Sequence, residues 1–115
     1  MAQMRTITAF IRPQQCDQVK LVLVQLGIID ITLSDVKGFG RQQGSLQQYR
    51  GSDAEIRLHR KLKVEVKVDE EMVAPVVEKI TFAARTGQVG DGKIFVSPLQ
   101  KVVQVRTGEE RVELA

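Results

Sequence analysis

The chain has 115 residues, a length that fits one domain, residues 1–115, with one hydrophobic core. Aromatic residues make up 4% of the sequence and Trp is absent, so we expect a core of Val, Ile and Leu. The single cysteine, Cys16, excludes an intrachain disulfide and any metal site built from several cysteines. Neither a signal peptide nor an apolar run of membrane length is present, which predicts a cytoplasmic protein.

The net charge of +3 is small but unevenly distributed. Residues 41–63 contain six basic and two acidic side chains, so this segment is more basic than the rest of the chain. Two interpretations are open: a solvated charged surface, or a basic loop that faces phosphate or an acidic partner.

Hydrophobic periodicity predicts elements in the order β-α-β-β-α-β, with one further short strand at the end. The predicted strands are residues 5–12, 29–37, 62–68, 93–96 and 101–106, and the apolar stripes of the two predicted helices lie at 19–26 and 72–84. Gly27 suits the end of the first helix and Asp69 can cap the second. Pro75 should fall in or near the first turn of that second helix.

This order is that of an α+β, ferredoxin-like βαββαβ sandwich, an antiparallel sheet with both helices on one face. The uncovered face can be solvated or can pack against copies of the chain, and the small core favours oligomerisation. The second and third strands are separated by about twenty residues, 39–58, where roughly two to five would make a hairpin. So long a polar loop in a small domain predicts a functional, mobile segment.

Three stretches are candidates for binding an anion. The glycine turn, T-G-Q-V-G-D-G-K at residues 86–93, can point successive N–H groups into one concavity, with Lys93 at its rim. It matches neither the Walker A nor the G-x-G-x-x-G pattern, and a purely structural turn would explain it equally well. K-G-F-G-R-Q-Q-G at 37–44 repeats the combination of glycines with a cation. In the last predicted strand, Arg106 can reach an anion beside the sheet or pair with Glu109 or Glu110.

Four motifs then occur in order and at matching spacing: V-K-G-F-G-R-Q at 36–42, Y-R-G at 49–51, T-G-Q-V-G-D-G-K-I-F-V at 86–96, and R-T-G-E-E at 106–110. Over essentially its whole length the chain resembles the PII nitrogen-regulatory signal proteins. The resemblance implies a homotrimer of ferredoxin-like protomers with ATP or ADP bound in the clefts between neighbours.

The resemblance also assigns roles to residues. It implies that the glycine turn and two arginines hold the nucleotide phosphates and that three further residues lie near the adenine. The phosphate group comprises Val89, Gly90, Asp91, Gly92, Lys93, Arg41 and Arg106, and the adenine group comprises Thr32, Val64 and Glu65.

A second ligand, 2-oxoglutarate, is implied beside Mg-ATP. In this assignment Gln42 supplies an oxygen to Mg²⁺, Lys61 pairs with the distal carboxylate and Gly40 shapes the nearby backbone. Oxygen ligands are those that a hard cation prefers. The segment 39–58 corresponds to the T-loop, which changes conformation with the bound ligand and docks on target proteins.

The chain departs from the family pattern at two informative positions. Ala54 stands where many members carry a modifiable tyrosine, and alanine has no hydroxyl to modify, although Ser52 falls where a minority of relatives are phosphorylated. Gln104 replaces an arginine that relatives use on phosphates, which should weaken ATP relative to ligands with fewer phosphates.

The function implied is a non-enzymatic regulator of nitrogen metabolism that acts on a partner through Tyr49, Arg50 and the rest of the T-loop. An ammonium channel, another transporter or a nitrogen-metabolism enzyme would be the target, and a membrane would be involved only through a transporter. The alternative is a divergent adenylate sensor that controls carbon or ion uptake with a different second ligand. An enzyme is disfavoured because no base with an orienting partner lies near the glycine turn. Binding of nucleic acid is disfavoured because the aromatic residues of an RNA-binding sheet and an RNP pattern are missing.

Overall fold

The structure is a computed structural model that describes residues 3–38 and 59–111. The predicted T-loop, residues 39–58, lies outside the described residues, and with it the candidates Gly40, Arg41, Gln42, Tyr49, Arg50 and Ser52. The strands are β1 (Met4–Ile11), β2 (Thr32–Gly38), β3 (His59–Asp69), β4 (Gly92–Leu99), β5 (Val102–Val103) and β6 (Glu110–Arg111). The helices are α1 (Cys16–Gln25), preceded by a 3-10 turn at Pro13–Gln15, and α2 (Glu70–Ala84).

The main sheet confirms the ferredoxin-like prediction. Its strand order is β2-β3-β1-β4, and every neighbouring pair is antiparallel. Strand β3 therefore lies between β1 and β2, and β1 lies between β3 and β4. Strands β2 and β4 form the two edges of the sheet.

The core lies between one face of the sheet and the two helices. Alternate residues of the central strands point into it, because successive side chains of a strand face opposite sides of a sheet. Its members are aliphatic, as the composition predicts: Ile7, Ala9, Ile11, Val64, Val66 and Val68 from the sheet, and Val19, Leu23, Val76, Ile80, Ala83 and Ala84 from the helices.

The other face of the sheet carries no helix in the described part of the chain, and the strand register brings its polar side chains into rows. One row places Thr32 opposite Glu65, Glu65 opposite Thr8 and Thr8 opposite Phe95. In another row Lys93 lies opposite Phe10. We call this surface the open face. It is the part of the fold that brings residues of distant sequence segments together.

The helix ends follow the predicted signals in part. Gly27 has a positive φ of 85°, and Ile28 N–H donates to the Leu23 carbonyl at 2.9 Å, a pairing that closes the C-terminus of α1. At the start of α2, Asp69 occupies the N-cap position but makes no side-chain capping bond. The first N–H of the helix finds a backbone acceptor instead, because Glu70 N–H donates to the Gln3 carbonyl at 2.8 Å.

Pro75 lies deeper in its helix than the sequence predicts. It falls within α2, in the second turn, not the first. Proline lacks an N–H, so the carbonyl four residues earlier, that of Glu71, loses its helical donor. Glu71 is exposed, and water can bond to that carbonyl.

The prediction of one strand at 101–106 is wrong. Only Val102–Val103 is extended, and it pairs with Glu110–Arg111 as a small hairpin. Gly108 (φ 75°) reverses the chain, and its N–H donates to the Gln104 carbonyl at 2.7 Å. Arg106 therefore lies in a turn, where strand alternation does not apply, and Glu110 forms an ion pair with Lys101 at 3.1 Å.

Gly92, the first residue of β4, is required by a close approach of two strands. Its φ is 123°, and a Cβ there would overlap the carbonyl oxygen of Phe10 on β1. We expect Gly92→Ala to lower the free energy of unfolding by more than about 2 kcal/mol, because backbone strain and steric overlap act together. Urea unfolding at fixed protein concentration measures this.

Gly27→Ala is the matched control, because Gly27 also has a positive φ but has nothing within 4 Å of the added Cβ. Its free energy of unfolding should fall by only about 1 kcal/mol, because the substitution adds backbone strain but no steric overlap. Equal losses for the two variants would show that the approach to β1 is not what requires glycine at position 92.

Candidate functional site

The glycine turn is held in shape by the side chain of Asp91. One carboxylate oxygen accepts the backbone N–H groups of Thr86 at 2.8 Å and Gly87 at 2.9 Å, and the other accepts the Thr86 hydroxyl. Asp91 thus closes the turn on itself, and its lone pairs point inward. This arrangement agrees with a turn-forming role rather than that of a catalytic acid.

Two basic side chains from other strands attach the turn to the sheet. Arg12, which follows β1, donates through Nε to Asp91 at 3.0 Å and through Nη2 to the Val89 carbonyl at 2.9 Å. Lys61 of β3 donates to the Gly90 carbonyl. The turn is therefore bound both within itself and across β1 and β3.

These contacts shift the pKa values of the charged groups. Hydrogen bonds from the Thr86 side chain and backbone are the main cause of a pKa of Asp91 far below its usual range, and Arg12 adds to the effect. Burial lowers the pKa of Lys61, the Arg12 charge lowers it further, and Asp91 acts in the opposite direction. Asp91 is thus an anion whose charge is compensated by Arg12 and Lys61.

The glycines of the turn adopt backbone conformations that other residues rarely reach. Gly87 and Gly90 have φ values of 88° and 97°. An added Cβ at Gly90 would lie 3.4 Å from the Arg12 guanidinium, an ordinary contact, so the positive φ and not a lack of space is what favours glycine at this position. Val89, at the tip, is fully exposed at 100%. Lys93 follows on the exposed start of β4.

The predicted adenine-side residues divide between the two faces of the sheet. Thr32 and Glu65 are directly opposite on the open face. Val64 is in the core and only 1% exposed, so only its backbone can approach a ligand. The strand alternation that predicted β3 already places Val64 on the helix side.

Glu65 has partners of its own on the open face. Lys67 lies 2.9 Å and Lys63 3.6 Å from its carboxylate oxygens, and the Thr8 hydroxyl donates to it at 3.5 Å. The hydrogen bond from Lys67 is the main cause of a lowered pKa of Glu65. Glu65 is therefore an ionised acceptor in a group of lysines.

Lys93, at the end of the glycine turn, and Thr32 stand far apart within one chain. Lys93 is on β4 and Thr32 on β2, the two opposite edges of the sheet. Three inter-strand spacings separate these edges, about 14 Å at roughly 4.8 Å per strand pair. The described part of one chain thus brings Thr32 beside Glu65 and Lys61 beside the glycine turn, while Lys93 and Thr32 remain on opposite edges of the sheet.

Sequence reasoning did not identify Arg12 as part of the site. Its partners lie nearly eighty positions away, and only the pairing of β1 with β4 brings them close. A signal was nevertheless present, because Arg12 directly follows a strand that ends beside the glycine turn in any ferredoxin-like arrangement. The binding role of Thr86 toward Asp91 was also missed.

Comparison with known proteins decides the family. The sequence model described as Nitrogen regulatory protein P-II matches residues 4–109. The chain belongs to the P-II family. P-II proteins of Nostoc punctiforme and of Synechocystis are each 51% identical to it over 110 residues, which cover 96% of this chain and 98% of the relative. The P-II protein of Azospirillum brasilense is 45% identical over 107 residues, 93% of this chain and 96% of that protein.

A solved structure of a P-II protein has the same fold. The Arabidopsis thaliana PII protein bound to citrate superimposes with a TM-score of 0.75 at 38% identity, covering 95% of this chain and 89% of that one. The chain is thus a member of a family of nitrogen regulatory proteins. Within residues 3–38 and 59–111, no helix is long and apolar enough to cross a bilayer.

The lowered pKa of Asp91 gives a pH-dependent prediction. Because its folded pKa lies below its unfolded value, the carboxylate stabilises the fold at pH above about 4, and this contribution is lost as the pH falls from there through the folded pKa. We expect Asp91→Asn to lower the urea midpoint of unfolding at pH 7. The difference in midpoint between the variant and the unmodified protein should shrink steadily as the pH falls below about 4. A difference that stays constant or widens in acid would contradict the assignment.

Proposed function

We propose that this P-II protein is a non-enzymatic regulator of nitrogen metabolism that binds ATP or ADP between the subunits of a homotrimer. The observation that carries the proposal is the glycine turn. Hydrogen bonds of Asp91 and Arg12 hold it in one conformation, and the exposed cation Lys93 follows it. A turn fixed in this way loses little conformational entropy when it binds a ligand.

The chemistry of the turn suits phosphate. Glycines permit close approach of a ligand to the backbone, and consecutive N–H groups form an anion-binding concavity. Asp91 does not oppose an anion strongly, because its carboxylate is bonded inward and compensated by Arg12. In the proposal Val89, Gly90, Gly92 and Lys93 surround the phosphates, and Arg41 and Arg106 add two further cations. Thr32, Glu65 and the backbone at Val64 receive the adenine.

The sheet topology supports a site shared between subunits. Lys93 lies on the β4 edge and Thr32 on the β2 edge, about 14 Å apart by strand spacing, while Lys61 and Glu65 share β3. If the β4 edge of one subunit meets the β2 edge of the next, both groups face one cleft. An interface between two different surfaces closes into a ring under rotational symmetry, and a trimer is such a ring.

We further propose that 2-oxoglutarate binds beside Mg-ATP, with Gln42 giving an oxygen to Mg²⁺ and Lys61 pairing with the distal carboxylate. Magnesium commonly binds ATP phosphates together with one or two protein oxygens. Lys61 already donates to the Gly90 carbonyl, so a dicarboxylate competes with the glycine turn for this cation. Binding of 2-oxoglutarate is thereby coupled to the state of the nucleotide turn. The citrate of the Arabidopsis PII structure is likewise a carboxylate ligand.

We propose that the protein regulates its target through residues 39–58, where Tyr49 and Arg50 contact a cytoplasmic target or the cytoplasmic side of a transporter. Ligand-dependent conformations of this loop would select the target. Ser52 is the proposed modification site, because Ala54 has no hydroxyl. An adenylate sensor with a different second ligand is the alternative, and Gln104 in place of arginine favours it.

Nucleotide binding is the first test. We expect calorimetry to show binding of both ATP and ADP, and Lys93→Gln to weaken both by about tenfold or more, because a charge-assisted bond to phosphate is lost. Lys79→Gln, which removes the same charge from an exposed position of α2, is the control and should bind normally. Absence of binding by the unmodified protein at millimolar nucleotide would refute the proposal.

The second ligand is tested with Mg-ATP present. Titration of 2-oxoglutarate should release heat, and this heat should disappear in Lys61→Ala and in Gln42→Ala. Lys20→Ala, on the exposed surface of α1, should retain it. Nucleotide binding without any 2-oxoglutarate heat in the unmodified protein would support the alternative sensor.

A further inference from the structure

Arg12 makes two separate hydrogen bonds to the glycine turn. Its Nε donates to Asp91 at 3.0 Å, and its Nη2 donates to the Val89 carbonyl at 2.9 Å. The side chains of Arg12 and Asp91 are only 27% and 24% exposed, so the pair is largely shielded from water. Shielding strengthens an ion pair whose hydrogen bonds are well formed.

The backbone that carries Arg12 is itself fixed. Gln15 N–H donates to the Arg12 carbonyl at 2.9 Å, and the Gln15 amide donates to the Ala83 carbonyl of α2 at 3.1 Å. Pro13 has a fixed φ of its own and restricts Arg12, the residue before it, to extended backbone. On the other side, Ile11 is held in register opposite Gly92. Arg12 therefore extends from a rigid point of the fold to a turn whose glycines allow many conformations.

We propose that Arg12 is a positioning residue that sets the conformation of the glycine turn through Asp91 and the Val89 carbonyl, and so prepares the turn for phosphate. The inference rests on the proposed nucleotide-binding function and concerns the same turn. The forked guanidinium is necessary, because it reaches a carboxylate and a carbonyl at once, whereas a lysine ammonium can replace the charge but not the fork.

Arg60 provides a matched control for charge. It lies next to Lys61 on β3, its side chain is 63% exposed, and its ion-pair partner is Asp35 at 4.0 Å. Arg60→Gln removes the same positive charge from the same neighbourhood as Arg12→Gln without removing a bond to the turn. A difference between the two variants therefore reports on positioning and not on net charge.

The first experiment uses the full-length protein without nucleotide. We expect hydrogen exchange of the Thr86 and Gly87 amides, measured by NMR, to accelerate by about tenfold in Arg12→Gln, because these amides donate to the carboxylate that Arg12 holds. Exchange in β1 and β3 should not change, and Arg12→Lys should give a smaller acceleration. Arg60→Gln should match the unmodified protein. Unchanged exchange at Thr86 and Gly87 in Arg12→Gln would overturn the inference whether or not nucleotide binds.

The second experiment measures ADP affinity by calorimetry. Arg12→Gln should bind ADP about tenfold more weakly and Arg12→Lys less so, whereas Arg60→Gln should bind normally. Asp91→Asn should weaken binding less in the Arg12→Gln background than alone, since the two side chains act as one unit. Normal ADP binding by Arg12→Gln, or an equal loss in Arg60→Gln, would refute the inference while leaving the proposed function intact. Absence of ADP binding in the unmodified protein would instead refute the proposed function.

Discussion

The carboxylate of Asp91 is the group on which the arrangement of the site depends. An acidic side chain inside a turn proposed to receive phosphate would be unfavourable if its oxygens faced the ligand. Here they accept the N–H groups of Thr86 and Gly87 and the guanidinium of Arg12, so the negative charge is used to organise the turn. The same bonds depress the pKa of Asp91 and keep it ionised. Because a bonded, compensated carboxylate repels an anion much less than a free one, the turn can be both well ordered and receptive to phosphate.

The ferredoxin-like topology determines what a single chain can bring together. Strand β1 runs through the middle of the sheet, and the register of its neighbours places Lys61 and Arg12 beside the glycine turn. The same register places Thr32 and Glu65 together on the open face, but toward the opposite edge. Each chain thus contains both parts of the proposed nucleotide site, but Lys93 and Thr32 lie on opposite edges of its sheet. In the proposed trimer, assembly with a neighbour unites them, so oligomerisation would be part of the binding mechanism and not only of stability.

Much of this was predictable from local sequence. The alternation in residues 62–68, the helical stripes and Gly27 each indicated an element or a boundary that the structure has. The failures have two causes, a local turn that strand propensity does not reveal and contacts between distant segments. The valines of 101–106 favour a strand, but the turn around Gly108 reverses the chain after Val103. Asp69 suits a cap, yet the Gln3 carbonyl occupies that role. Arg12 could be recognised only once β1 and β4 were in register.

The central claim is that the glycine turn of one subunit and the open face of the next form a single nucleotide site. A crystal structure of the full-length protein with ADP tests it most directly. The account predicts a trimer in which the diphosphate contacts residues 90–93 of one subunit and the adenine lies beside Thr32 and Glu65 of the neighbouring subunit. ADP held entirely within one chain, or bound away from the glycine turn, would contradict it.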